Sequence, residues 1–188
     1  MITAYIDFKS LDCFLAISSI LELADDCETP VSWQPYRRKE RALPTQVANE
    51  SVTQTHYRVR AASQRRLQRH YARLRGLDID PSRGQIDTSA ALRWLASLEG
   101  DTSSFVSRLF TAHWIDRTDI NDPTFLQELT TQCGLRRTGD AVDLRLIERK
   151  AEEKGLFDAP TFFIEGQMFT GRAHIPLMRQ LLADGGDR

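Results

Sequence analysis

Two side chains capable of nucleophilic or proton chemistry stand three residues apart near the start of the chain, Ser10 and Cys13 in Lys9-Ser10-Leu11-Asp12-Cys13-Phe14. They fall where a β-rich segment gives way to helical spacing, which places both in the first turn of a helix. Unpaired backbone N–H groups at such a terminus lower the pKa of a thiol and stabilise an anionic group nearby. The same residues also read as an N-cap serine followed by a buried cysteine, and the local sequence leaves both readings open. Ala159-Pro160-Thr161 adds a second feature far along the chain. A proline opening an apolar strand has no N–H to donate and is a candidate for a cis peptide bond.

The elements that must position these residues follow from periodicity. Ile2 to Phe8 alternates and reads as a strand, and apolar residues continue at helical spacing through Ile17, Ile20, Leu21 and Leu23 behind Ser10. Val31 to Gln34 fits a second strand, halted by Pro35. The middle of the chain predicts helix after helix: Gln54 to Arg75, Thr88 to Leu98 behind Asp87 or Thr88, Ser103 to Trp114, a helix opened by Asp122-Pro123 and closed by Gly134, and Ala141 to Lys154. The pattern then returns to β, with Thr161–Ile164 and Gln167–Thr170 flanking a two-residue turn at Glu165-Gly166. Ile175 to Leu182 gives a closing amphipathic helix before a frayed tail from Asp184. A β-α-β start, a helical middle and a β-β-α end amount to an α/β fold with a large all-helical insertion. The expected organisation is one domain over 1–188, its core formed by 1–36 and 156–184 and its helical lobe by about 50–154.

Composition bounds the class. With 41% apolar and 27% charged residues in 188, the chain is suited to a sizeable core in a soluble protein. No apolar stretch approaches the roughly 20 residues that span a bilayer. The first residues lack the basic start and apolar run of a secretory signal, so the expected location is cytoplasmic, without a membrane partner. Cys13, Cys27 and Cys133 have neither metal-ligand spacing nor an even disulfide framework, so thiols and no metal are expected. Seven of the 25 basic residues, all arginines, lie between Ser51 and Leu77, against none of the 26 acidic ones. These arginines are spread around their helix and interleaved with apolar residues, which favours a solvated face over a nucleic-acid partner. A narrower reading points one or two of them, Arg58 or Arg65, into a cleft to bind a substrate carboxylate bidentately. Tyr36-Arg37-Arg38-Lys39, just after the second strand, either overhangs the same cleft or forms a solvated loop. His174, at a helix start, reads as a proton donor, a partner for a ligand carboxylate, or a surface histidine.

Asp7-Phe8-Lys9-Ser10-Leu11-Asp12-Cys13-Phe14-Leu15-Ala16 resembles the active-site stretch of 2-hydroxychromene-2-carboxylate isomerases and kappa-class glutathione transferases, in the DsbA-like branch of the thioredoxin superfamily. Lys154 to Phe162 resembles their cis-proline element, and Met168 to His174 their segment at the start of the last helix. The likeness runs in order along essentially the whole chain. It departs at Leu11, where the relatives usually have proline, at Cys13, where the isomerases have another residue, and at Ala173, where an acid is common.

The resemblance implies a thioredoxin fold and glutathione as cofactor. Ser10 stands where it would hydrogen-bond the glutathione sulfur, and Ala159, before Pro160, would pair with the glutathione peptide. Gly171, Arg172 and His174 would receive the γ-glutamyl end. The expected function is a glutathione-dependent isomerase or transferase acting on a small aromatic or electrophilic substrate, with a homodimer left open. The alternatives are a thiol–disulfide oxidoreductase using Cys13 and a non-catalytic binding protein of the same fold.

Overall fold

The computed structural model describes residues 1–39, 51–139 and 141–185, so most of the tail lies outside the described residues. In chain order the elements are β1 (Ile2–Ile6), α1 (Leu11–Asp26), β2 (Val31–Pro35), α2 (Val52–Leu74), α3 (Ser89–Ala96) and β3 (Leu98–Glu99). They continue with α4 (Ser103–Trp114), α5 (Pro123–Gln132), β4 (Arg136–Arg137), α6 (Leu144–Glu153), β5 (Thr161–Ile164), β6 (Gln167–Thr170) and α7 (Ile175–Gly185). Short 3-10 turns occupy Pro81–Gln85 and Arg172–His174. The chain divides into two compact units, Met1–Arg38 with Asp80–Arg188, and Lys39–Ile79.

The larger unit is built on a four-stranded sheet ordered β2-β1-β5-β6. β1 runs parallel to β2, in register Ile2 with Val31, and antiparallel to β5, with Ala4 opposite Phe162. Strand β1 is therefore central, and Ile2, Ala4, Tyr5 and Ile6 are all buried. Burial of each isoleucine side chain contributes roughly 1.5–3 kcal/mol. The β5–β6 hairpin closes through Glu165 and Gly166, both at positive φ (50° and 79°), the conformation a two-residue turn requires. Helix α1 packs on α4 and α7, burying Cys13, Ala16, Ile17, Ile20 and Leu23 along one face. The result is the α/β arrangement of a thioredoxin fold enriched in helix.

The smaller unit is carried by α2. Ser51 opens it with a capping box, its Oγ accepting from the Gln54 N–H (3.2 Å) while Gln54 Oε1 accepts from the Ser51 N–H (2.9 Å). Gly76, at φ +66°, follows its end. Only Ala72 of this helix is buried; Tyr57, Val59, Leu67 and Leu74 are exposed.

Three features differ from the sequence pattern. Helix α3 stops at Ala96, and Leu98–Glu99 instead pairs with Arg136–Arg137. Ser97 breaks the helix by turning its Oγ onto the Trp94 carbonyl (2.7 Å), and its own carbonyl accepts from the Thr138 N–H (2.7 Å). The guanidinium of Arg137 lies 3.8 Å from the Trp94 ring centroid, a cation–π contact that fixes this small ladder. Helix α6 begins at Leu144 because Asp143 caps it, Oδ1 accepting from the Leu146 N–H (3.1 Å).

His113, at the end of α4, is fully buried. Its Nε2 donates to the Arg83 carbonyl (2.9 Å), which leaves Nδ1 to accept from Arg83 Nη2 (3.4 Å). Arg83 also donates to the carbonyls of His113 (3.1 Å) and Thr118 (2.7 Å). Burial first, then the facing guanidinium, pushes the His113 pKa down to about 4. The unfolded chain therefore takes up a proton below pH 6.5 that the folded chain refuses until about pH 4. We predict a loss of stability of up to about 1.4 kcal/mol per pH unit between those limits. Urea unfolding at a series of pH values measures it, and His113→Gln should remove that part of the slope.

Candidate active site

Strand β1 ends at Ile6 and α1 begins at Leu11, so four residues, Asp7 to Ser10, make the junction. The turn closes through the Ser10 N–H on the Asp7 carbonyl (3.0 Å). Asp7 is fully buried, and its carboxylate accepts from Thr88 Oγ1 (2.5 Å), the Arg38 N–H (2.7 Å) and the Lys9 N–H (3.3 Å). Loss of solvent pushes the Asp7 pKa up, and the three donors oppose that rise. Thr88 occupies the N-cap of α3 but gives its hydroxyl to Asp7. The adjoining carboxylate of Asp87 instead accepts from Ser89, through its hydroxyl (2.6 Å) and its N–H (3.0 Å).

Two further contacts hold the middle of the junction. Trp114 Nε1 donates to the Phe8 carbonyl (3.0 Å), and Phe8 packs on Phe110 with centroids 4.9 Å apart. Gly84 approaches so closely that a Cβ there would lie 3.2 Å from the Lys9 carbonyl oxygen and 3.6 Å from the Trp114 ring. A larger residue would have to push the backbone next to Ser10.

Ser10 itself caps α1, its Oγ accepting from the Cys13 N–H (3.3 Å). The same hydroxyl lies 3.5 Å from the Ala159 carbonyl oxygen, toward which it donates. A bond of that length is weak, and the hydroxyl also partners the buried Cys13 sulfur. The structure thus brings together Ser10 and Ala159, residues 149 positions apart in sequence. The Ala159–Pro160 peptide bond is cis, and the Pro160 carbonyl accepts from the Gly171 N–H (2.8 Å). Gly171 has φ 78° and ψ 171°, a conformation open essentially to glycine. That bond ties the Arg172–His174 turn to the proline loop; Arg172 is half-buried and His174 exposed, its ring 6.2 Å from that of Phe169.

Other expected residues fall elsewhere. Cys13 is fully buried, and burial pushes its thiol pKa far up despite the hydrogen bond from the first turn. The helix terminus does not overcome the lost solvation, which disfavours the thiolate that a nucleophilic role would need. Tyr36 is also buried, only 1% exposed, with its hydroxyl on Glu152 Oε1 (3.3 Å). It joins β2 to α6 and presents no surface to a ligand, which corrects the expectation that it overhangs a cleft. Arg58 lies on α2, half-buried, within the Lys39–Ile79 unit.

Two polar residues around Ser10, Asp7 and Asp158, were not picked out as site residues from sequence, and Arg38 was reached only as part of the Tyr36-Arg37-Arg38-Lys39 run. Arg38 donates through Nε to Asp158 Oδ1 (2.7 Å) and through Nη2 to Oδ2 (3.4 Å), and Asp158 Oδ1 also accepts from the Ala159 N–H (2.9 Å). For Asp7 a signal exists, a charge wedged between the buried Ile6 and Phe8; for the other two, nothing local distinguishes them from surface charges. A cavity of about 230 Å³ between α4 and α5, lined by Arg108, Phe125 and Glu128 among others, touches none of these residues. The chemistry of the Ser10 junction therefore carries more weight than that hollow.

Residues 1–183 match the family model described as "DSBA-like thioredoxin domain". Among solved structures, the chain is similar to a 2-hydroxychromene-2-carboxylate isomerase at 14% identity and a TM-score of 0.64, covering 97% of this chain and 94% of that one. A putative protein disulfide isomerase from Nitrosomonas europaea is similar at 16% identity and a TM-score of 0.61, with coverage of 97% and 95%. The cytosolic disulfide reductase DsbM from Pseudomonas aeruginosa, solved with GSH, is similar at 17% identity and a TM-score of 0.56, with coverage of 100% and 99%. At these identities the likeness establishes the fold. No curated protein matches the chain.

The burial of Cys13 makes a direct prediction. In native protein at pH 8, a maleimide should modify the half-buried Cys27 and Cys133 while leaving Cys13 unlabelled, and all three should react in urea. Peptide mass mapping checks this, and comparable native labelling of Cys13 would contradict the assignment.

Proposed function

The chain belongs to the DSBA-like thioredoxin domain family, and from that premise we propose that it is a glutathione-dependent isomerase or transferase in which Ser10 activates the glutathione thiol. The observation that carries this reading is the position of Ser10 Oγ. It stands at the first turn of α1, 3.5 Å from the carbonyl of the residue preceding a cis-proline and beside the Cys13 sulfur. A thiolate placed beside it would gain the hydroxyl as a hydrogen-bond donor and the positive end of the helix dipole as a favourable field. The chain's own thiol is withdrawn from such a role by its burial. The site is thus suited to another molecule's sulfur.

In this reading the main chain of Ala159 pairs with the glutathione peptide, and the turn from Gly171 through Arg172 to His174 receives the γ-glutamyl end. Ser10 is only 2% exposed, so ligand entry requires the surrounding groups to shift. The DsbM structure with GSH supports the choice of ligand, because a protein of this fold accommodates it. The glutathione thiolate would add to an unsaturated carbon of a small electrophilic substrate, forming a C–S bond as the π electrons move onto the adjoining group. Rotation about the former double bond and reversal of the addition give isomerisation, with glutathione released unchanged and no net redox. Where the resulting anion instead takes up a proton from water and the adduct is retained, the net reaction is a transfer.

Calorimetry with millimolar glutathione, paired with the rate of its addition to a model α,β-unsaturated carbonyl compound, tests the proposal. Ser10→Ala should lower the protein-dependent rate by roughly 10- to 100-fold, the order of one hydrogen bond to a charged group. Its thermal midpoint should drop by only a few degrees, because the lost cap is worth about 1 kcal/mol. Absence of binding at millimolar glutathione, together with an unchanged rate in Ser10→Ala, would overturn the assignment.

A further inference from the structure

The main-chain groups of Ala159 are the ones an extended peptide ligand would use at this loop, one donor and one acceptor. Both are already engaged within the chain, and the two engagements differ in strength. The carbonyl faces Ser10 Oγ at 3.5 Å, a loose contact. The N–H donates to Asp158 Oδ1 at 2.9 Å, an ordinary length for a bond to an ionised acceptor.

The Asp158 carboxylate is also restrained from its other side. Arg38 holds it with Nε on Oδ1 at 2.7 Å and Nη2 on Oδ2 at 3.4 Å, a two-point grip with directional preference. Arg38 is itself anchored, because its N–H donates to the buried Asp7 at 2.7 Å. On the loop side, the Asp158 carbonyl accepts from Thr161 Oγ1 at 2.7 Å. A carboxylate fixed by a guanidinium, on a backbone fixed by a buried threonine, is a fully built feature.

We infer that Asp158 is a specificity-determining residue, an intramolecular stand-in that occupies the Ala159 N–H until a ligand displaces it. The inference rests on the proposed function for the identity of the ligand, a peptide-like thiol. Displacement has a chemical consequence. A neutral carbonyl that takes the Ala159 N–H replaces a charged acceptor with a weaker one and leaves the Asp158–Arg38 pair to find a new arrangement. A ligand that brings a carboxylate as well as a carbonyl can replace both bonds, the carbonyl on Ala159 and the carboxylate on Arg38. The site therefore selects peptide-like thiols that carry a carboxylate, and it does so by the cost of dislodging its own.

The test combines glutathione calorimetry with hydrogen exchange at the Ala159 amide of the ligand-free protein, in wild type and Asp158→Ala. Removing the stand-in should tighten glutathione binding about tenfold, the factor expected for one charge-assisted bond no longer competed for. It should also speed Ala159 exchange by tenfold or more. Equal glutathione affinities in the two proteins would overturn the inference and leave the functional reading in place. If neither protein binds glutathione, the functional reading falls, and exchange alone decides the stand-in: faster in Asp158→Ala supports it, unchanged overturns it. Should Asp158→Ala fail to fold, Asp158→Asn keeps an acceptor for Ala159 but loses the charge that Arg38 grips. It should shift both readouts in the same direction by less, and no shift in either would overturn the inference.

Discussion

A carboxylate buried at the end of the central strand sets the geometry of everything around it. Asp7 has left water, and three donors compensate that loss: a hydroxyl from the start of α3, a backbone N–H from the segment after β2, and one from the junction itself. Removing any of these would leave a desolvated acceptor, at a cost of about 1–3 kcal/mol. Each donor is thus obliged to stay, and with it the element that carries it. Thr88 brings α3 against the sheet, and Arg38 turns the chain leaving β2 back over the site. From that anchored backbone the Arg38 side chain reaches the proline loop, so a single buried acid organises both sides of the Ser10 junction.

The same tight packing divides the roles of the two residues that first suggested chemistry. Ser10 and Cys13 share a helical turn and the same favourable dipole, yet a hydroxyl needs no ionisation to act as a donor, whereas a thiol must lose its proton to be a nucleophile. Complete burial penalises the thiolate and leaves the hydroxyl serviceable. The aromatic group beneath, with Phe14 stacked near Trp114 and Phe8 against Phe110, keeps that turn dry. What remains at the junction is a buried hydrogen-bond donor beside a proline loop, the arrangement on which the proposed handling of an external thiol rests.

Much of this was legible in the sequence because it depends on short-range rules. The bounds of α4 follow from apolar spacing, α5 from proline at its first position behind Asp122, and the β5–β6 hairpin from a glycine in a two-residue turn. Features fixed by distant partners were not legible. The β3–β4 ladder has two residues a side, too few to show a period, and exists because Ser97 ends α3 and Arg137 finds Trp94. Tyr36 looks like a loop residue until Glu152 arrives from α6, 116 positions away. Arg38 and Asp158 are separated by 120 positions, and either alone reads as an ordinary surface charge. Gly84 stands in a segment without apolar pattern, and its need for small size is set by the Lys9 carbonyl and Trp114.

In the proposed mechanism the site stabilises a thiolate belonging to a bound molecule and none of its own. Thiolate absorbance near 240 nm, followed against pH for a Cys27→Ser, Cys133→Ser variant with and without glutathione, measures both halves in one experiment. Cys13 should give no thiolate below about pH 9, and the complex should show one thiolate at lower pH than free glutathione, whose thiol ionises near the usual value of about 8.5. A thiolate that titrates near neutral pH in the ligand-free protein, or a bound glutathione that ionises no more easily than the free molecule, would contradict that mechanism.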